Sequence, residues 1–362
     1  MAGFYTYVHA GTTFRDRFAL QCRTAGFTSE ETMHDREATD DAKDGGNAGR
    51  RDFMRKAAVA AVAAAGGLAG SGVRAQEQRV PYSAGTEKPK LKAPANACDC
   101  HIHFYDDRFP AAASATLRPP NATVEDYRLF QKRIGTSRVV IVTPSTFGTD
   151  NRPSLEGAAR LGASARVVAV VDDTVTDAEL KRLAGLGVRG IRFNLVQKGA
   201  TTVDMLEPLA RRVHELGWHV QIHALGDQIV EMQSLLRGLS APIVFDHLGR
   251  LPQPAGTSHP AYGVILGLVN KDKAWVKVSG AYHDTKVGAP AYSDTSAVGK
   301  AFVKDAIERV VWGSDWPHPT VKDLDRKPDD AVLFDLLGDW APDAATLRKV
   351  LVDNPARLYG FD

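Results

Sequence analysis

Cysteine is almost missing from this chain: Cys22, Cys98 and Cys100 are the only three in 362 residues. So few exclude a disulfide-stapled scaffold and any Cys-rich zinc module. Neither charge sign dominates, with 45 Lys and Arg against 43 Asp and Glu. That balance argues against nucleic acid as the main partner, because phosphate binding calls for a surplus of basic side chains. No apolar run reaches the roughly 18 residues of a membrane-spanning helix, so no stable membrane association is expected. What is present is ordinary for a globular protein, 44% hydrophobic and 24% charged residues, with room for one large core or two small ones.

The amino-terminal region reads as a leader. Arg50-Arg51-Asp52-Phe53-Met54-Arg55-Lys56 precedes a weakly apolar Ala, Val, Leu and Gly stretch over 57–72, closed by Val73-Arg74-Ala75. A charged start, an apolar middle and a small-residue exit are the parts of an export signal. The paired arginines make it resemble a twin-arginine signal, which implies the twin-arginine export machinery as a partner and a periplasmic mature protein. Residues 1–49 are polar and without pattern, and Met33 offers an alternative start. The expected organisation is a removed leader over 1–75, a linker over 76–95 and one catalytic domain over 96–362. Cys98 and Cys100 lie two apart in a strand, too far along it to bond without distortion.

Through the remainder, short Val- and Ile-rich runs alternate with longer helical patterns. The runs cover 97–103, 138–145, 166–172, 188–195, 219–224, 242–248, 274–281 and 309–315. Helices are predicted over 123–135, 154–161, 177–186, 205–216, 228–239, 262–270, 297–307 and 343–351. Thr176 ahead of an acidic turn supports a start, and Gly187 and Gly217 support ends. Eight such units predict a (β/α)8 TIM barrel. A doubly wound open sheet is the alternative, but a Gly-rich phosphate turn is expected after its first strand, where this chain has Cys100-His101-Ile102-His103.

In a barrel, chemistry projects from the carboxyl ends of the strands. The first run ends Asp99-Cys100-His101-Ile102-His103, and a spacing of two places both imidazoles, and Asp99 with them, on one side. The fifth run ends at His223, the sixth at Asp246-His247 and the eighth at Ser314-Asp315-Trp316-Pro317. Burying so many ionisable groups in one mouth is costly unless a metal, a substrate or mutual pairing offsets it. Arg192, Lys198 and Arg250, with Ser145, form a candidate cradle for carboxylates, since guanidinium forks suit bidentate binding. Trp312 reads as core and Trp316 as a pocket wall. His259, His283 and His318 fall in loops and read as solvated unless they touch substrate; His214 and His219 read as structural.

The set His101-x-His103, His223, His247 and Asp315 resembles the amidohydrolase superfamily, and the closing 353–361 segment, Asp353-Asn354-Pro355-Ala356-Arg357-Leu358-Tyr359-Gly360-Phe361, is similar to the tail of its amidohydrolase-related branch. Arg189 to Asn194, Asp246 to Arg250, Val278 to Tyr282 and Gly313 to Pro317 resemble the subgroup of 2-pyrone-4,6-dicarboxylate lactonase, 4-sulfomuconolactonase and galactarolactone isomerase. The resemblance implies a hydrolase opening a carboxylated lactone. Asp315 is then the general base, and His101, His103 and His247 polarise the carbonyl. Arg192, Lys198, Arg250, Ser145 and His283 would bind an anionic small molecule.

Strand four ends Arg192-Phe193-Asn194 and lacks the carboxylated Lys or Glu that bridges two metals in the superfamily. One divalent ion, zinc or manganese, held by His101, His103, His223 and Asp315 is one implied arrangement; a metal-free site is the other, and both stay open. His283, Lys198 and Leu117 depart from the lactonase pattern, which implies shared chemistry on a different acid. A metal-dependent decarboxylase of an aromatic acid, a sugar-acid lactone isomerase and a non-catalytic solute-binding barrel are the remaining readings.

Overall fold

The structure, a computed structural model, describes residues 79–197 and 199–362. The export signal, Cys22 and Lys198 therefore lie outside the described residues. Eight parallel strands, β1 (Cys98–Ile102), β2 (Arg138–Val142), β3 (Ala165–Ala169), β4 (Val188–Asn194), β5 (His219–His223), β6 (Ile243–Phe245), β7 (Ala274–Val278) and β8 (Val310–Trp312), follow one another in sequence order around a single sheet. Past the end of β8 the sheet meets β1 through two backbone bonds, Asp315 N to His101 O at 2.8 Å and His103 N to Trp316 O at 2.9 Å. The fold is the expected (β/α)8 barrel, and it closes through the residues singled out for chemistry.

The strands form where Val and Ile cluster because both faces are buried, one against the axis and one against the helices. Local signals place the helices. Thr123 and Asp126 make a reciprocal capping box at the start of Val124–Ile134, and Gly135 ends that helix at φ 93°. Thr176 caps Asp177–Gly185. The helix predicted over 228–239 arrives in two pieces, Gly226–Glu231 and Gln233–Gly238, joined at Met232, whose buried side chain goes with φ −84° and ψ 1°. The last predicted helix begins as Ala344–Arg348 and passes through a wide turn, Lys349–Asp353, into Asn354–Tyr359. One helix, Asp330–Trp340, was not expected. It is buried along most of its length, with Phe334 edge-on to Trp312 at 4.9 Å, so its sequence carries no strong polar-apolar period.

Two local features correct the reading of β1 and its surroundings. Asp99 pairs with Val139 while Ile102 pairs with Ile141, so three steps of β1 span two of β2. That bulge breaks the alternation and re-aims the side chains beyond it. His101 and His103 share the barrel mouth, but Asp99 does not join them: it takes bonds from Ser314 N (2.9 Å), Ser314 Oγ (2.6 Å) and, from the helix layer, Tyr127 OH (3.4 Å). Trp316 is wholly buried beside Tyr127 and Phe130 and is no pocket wall; its indole N–H donates to Pro81 O at 2.9 Å. From residue 79 the stretch before β1 is thus fastened to the barrel, with Arg133 donating to Ser83 Oγ, Ala84 O and Glu87 O as well. Cys98 and Cys100 are buried free thiols, packed with Tyr359 and Phe361 of the carboxyl-terminal tail.

Below the mouth, β5 opens with His219, fully enclosed, its imidazole edge-on to Tyr359 at 5.4 Å and both ring nitrogens without a hydrogen-bond partner. The space exists because its neighbour on β4 is Gly190: a Cβ there would lie 2.4 Å from His219 Nε2. Gly190→Ala is therefore expected to destabilise the barrel by about 1–3 kcal/mol, seen as a lower melting temperature. Burial, then the Lys277 charge, pulls the His219 pKa down to about 3. The unfolded chain protonates its histidines near 6.5. Between those two values it binds a proton that the fold refuses, so this contribution is complete above pH 6.5 and is lost as pH falls. Denaturant unfolding across pH 7 to 4 should show His219→Phe shallower than wild type by up to about 1.4 kcal/mol per pH unit.

Candidate active site

Asp315 follows β8 in the left-handed region, φ 64°, held there by its N–H bond to His101 O. That conformation is unusual for a residue with a side chain and is the kind retained where geometry matters. It turns the carboxylate into the barrel mouth, where three imidazoles converge on one oxygen. Asp315 Oδ1 lies 3.5 Å from His101 Nε2, 3.4 Å from His103 Nε2 and 3.8 Å from His247 Nε2. The other oxygen, Oδ2, accepts from Tyr282 OH at 2.5 Å and faces His283 Nε2 at 3.2 Å.

Each converging imidazole is fixed through its far nitrogen. His103 Nδ1 donates to Val142 O at 2.7 Å, and His247 Nδ1 meets Ser279 Oγ at 3.0 Å. His101 Nδ1 lies 3.3 Å from both Lys277 Nζ and Asp246 Oδ1. His247 leads a run of left-handed residues, through Leu248, Gly249 and Arg250, that bends the chain sharply after β6 and directs the ring inward. Below the histidines lies a polar floor that composition and spacing do not announce. Lys277 of β7 is completely buried and donates to Cys100 O (2.9 Å) and Gln221 Oε1 (2.7 Å), while Gln221 and Arg192 donate to Asp246 Oδ2 at 3.1 and 3.4 Å.

The electrostatics follow from this burial. Desolvation, then Lys277, lowers His101 to about 3, and desolvation likewise holds His247 well below the ordinary range, so both rings are neutral at pH 7. Burial alone would raise Asp315, but the facing His247, His103, His283 and His101 more than offset it and keep the carboxyl well below its usual value. Asp246 is ionised for the same kind of reason, burial being outweighed by His101 and Lys277. Lys277 falls to about 8, chiefly through burial. The site thus holds an ionised carboxylate faced by two neutral imidazoles, those of His101 and His247.

A cleft opens above Asp315 at the barrel mouth. Arg192, Ser145 and His283 line it as the sequence suggests, joined by Asn194, which donates to Ser145 Oγ at 2.8 Å. Four expectations are corrected. Arg250 is occupied: Asp284 takes its Nε and Nη2 at 2.7 and 3.0 Å, so it offers no free fork. His223 lines the cleft but stands apart from the donors around Asp315. Its Nδ1 meets Asn194 Oδ1 at 3.2 Å, and Arg250 Nη1 donates to its Nε2 at 2.8 Å, which uses its lone pair and places a cation where a metal would sit. His318 is buried rather than solvated, between Tyr282 OH (3.2 Å) and Asp330 Oδ2 (3.0 Å). His259 is half-buried and not freely solvated either, its Nε2 meeting Asp227 Oδ1 at 3.0 Å and its Nδ1 accepting from Ala261 N at 3.3 Å. The donors that fit a divalent ion are His101, His247 and Asp315, nitrogen and carboxylate groups within 4.8 Å of one another and braced from behind.

Sequence spacing did not single out Tyr282, Ser279, Lys277 or Gln221 for any role. A lysine and a glutamine interrupting apolar strand runs were the available signals.

The chain is similar to known proteins over most of the barrel. The amidohydrolase family model matches residues 98–361. The 4-sulfomuconolactone hydrolase of Rhizobium radiobacter is 34% identical over 274 residues, 74% of this chain and 91% of that protein. The 2-pyrone-4,6-dicarboxylate hydrolase of Comamonas testosteroni is 34% identical over 290 residues, 77% of this chain and 94% of that protein. The D-galactarolactone isomerase of Agrobacterium fabrum is 31% identical over 273 residues, 75% of this chain and 93% of that protein. An apo crystal structure of an Agrobacterium tumefaciens protein superposes with a TM-score of 0.73 at 30% identity, covering 78% of this chain and 99% of the other. With the barrel, the strand-end histidines and Asp315 in place, this chain belongs to the amidohydrolase family.

Proposed function

We propose that the chain is a hydrolase that opens a carboxylated lactone. The observation that carries this reading is the ionised Asp315, one oxygen of which faces a ring of three imidazoles under a cleft lined by Arg192. Relatives that act on lactones, two of them hydrolases, support the substrate class. Arg192, with Ser145 and Asn194, holds a substrate carboxylate. Water sits between Asp315 Oδ1 and the ring carbonyl. Asp315 takes its proton as the C–O bond forms, and neutral His101 and His247 offer N–H groups to the developing oxyanion, with His103 packed beside them. The intermediate collapses by breaking the ring C–O bond, and the departing oxygen recovers the proton from Asp315. The product carries one carboxyl group more than the lactone and releases a proton at neutral pH.

A divalent ion held by His101, His247 and Asp315 would supply Lewis-acid polarisation of the carbonyl. The test is base uptake in a pH-stat with the purified full chain and 2-pyrone-4,6-dicarboxylate, followed by other acid lactones, with and without chelator. Turnover with base uptake supports hydrolysis; ring rearrangement without uptake points to isomerisation; silence across the panel overturns the reading. Loss of turnover on chelation, restored by zinc or manganese, would identify the metal-dependent form.

The 50–75 segment supports export to the periplasm by the twin-arginine route. Replacing Arg50 and Arg51 by lysine is expected to retain the protein in the cytoplasm, as read by cell fractionation. Unchanged periplasmic recovery would rule the signal out.

A further inference from the structure

Beyond the ring of histidines, the second oxygen of Asp315 begins a chain of contacts that the hydrolytic steps do not use. Asp315 Oδ2 accepts from Tyr282 OH at 2.5 Å; the same hydroxyl lies 3.2 Å from His318 Nδ1; His318 Nε2 lies 3.0 Å from Asp330 Oδ2. His318 and Asp330 are 0% and 1% exposed, and Asp330 Oδ1 has no partner, so the carboxylate serves His318 alone. The loop that carries His318 is pinned by Lys327, whose Nζ donates to Pro317 O and His318 O, both at 2.8 Å. Buried polar groups arranged in file like this cost desolvation, and they rigidify whatever they terminate on.

We propose that Asp330, His318 and Tyr282 form a positioning relay that locks the Asp315 carboxylate, leaving Oδ1 as the oxygen that meets water. Asp330 orients the His318 ring; the ring fixes where the Tyr282 hydroxyl sits; the hydroxyl, with His283, saturates Oδ2. A carboxylate without that anchor can turn about its terminal torsion, a soft one, and lose alignment with the water. Tyr282 stays a phenol throughout, because burial and the adjacent Asp315 carboxylate both oppose its ionisation. His318 and Asp330 are not among the residues lining the cleft and make no contact with the Asp315 carboxylate except through Tyr282, so they are positioning residues. The role assigned to Asp315 rests on the lactonase reading above; the anchoring itself does not.

The experiment is a mutant cycle on the full chain, with 2-pyrone-4,6-dicarboxylate as probe and crystal structures of the same proteins. Tyr282→Phe should lower kcat about 10- to 100-fold with KM within about twofold. His318→Leu should lose nearly as much. The double variant should be no worse than Tyr282→Phe, because His318 acts through the hydroxyl. His318→Asn, whose amide can still reach the phenol oxygen, should recover most of the His318→Leu loss. Losses that multiply in the double variant, or that fall on KM alone, overturn the relay. Failure of the lactonase reading shows separately, as no turnover by the wild type. In that case the crystal structures decide: the Asp315 carboxylate should rotate in Tyr282→Phe and in His318→Leu, and an unmoved carboxylate in both refutes the relay.

Discussion

Asp315→Asn is expected to cut turnover of an acid lactone roughly 10³- to 10⁴-fold while the barrel remains folded. The substitution nearly preserves shape. The amide oxygen can still accept from Tyr282 OH, and the backbone bond to His101 O is untouched. No imidazole is left as an unpaired charge, since His101 and His247 are neutral in the folded protein. What disappears is a group that can take a proton, because an amide has no basic lone pair in the working pH range. The checks are initial rates in the pH-stat and a melting curve. Wild-type-like turnover in a folded Asp315→Asn protein would remove Asp315 as the base. A collapse in melting temperature, by contrast, would mean that the carboxylate is needed to hold the histidines together.

The barrel was legible because its signal is repetitive. Eight Val- and Ile-rich runs separated by helical periods can be counted without knowing which strand pairs with which, and the short connections leave little choice of neighbour. The candidate site was legible for a related reason. Polar residues at the carboxyl ends of apolar strands stand out, and the barrel brings all such ends to one mouth. His101, His103, His247 and Asp315 came together as their strand positions imply.

What escaped the sequence depends on where side chains find their partners. The bulge in β1 cannot be read from CDCHI, so Asp99 was placed with the histidines although it points to Ser314 and Tyr127. His223 and Arg250 each look like free functional groups in one dimension. In space they satisfy each other, and Asp284 neutralises the guanidinium. Lys277 lies in mid-strand, where a lysine is rarely placed, and its partners Gln221 and Cys100 are more than 50 residues away. The Asp330–Trp340 helix lacked a polar face because nearly every face is covered.

The cleft's selectivity should rest on Arg192. Among the described residues it is the guanidinium lining the cleft, and its own carboxylate partner, Asp246 Oδ2, is at the long distance of 3.4 Å. A planar fork so lightly engaged can still grip a second carboxylate bidentately. Charge-assisted hydrogen bonds of this kind contribute about 1.5–3 kcal/mol each, so Arg192→Met should raise KM for a carboxylated lactone about 100-fold or more. Met matches much of the volume, and Asp246 retains Gln221 at 3.1 Å and Lys277 at 3.7 Å, so the floor should survive the change. If the arginine binds ground state and transition state alike, kcat stays within a few-fold. Arg192→Lys should fall between, keeping the charge but losing the fork. The decisive comparison uses two substrates. A neutral lactone without a carboxylate should be turned over equally by wild type and Arg192→Met, because nothing in it addresses the guanidinium. An equal KM penalty on both substrates would mean that Arg192 supports the polar floor through Asp246 and does not read the substrate's charge.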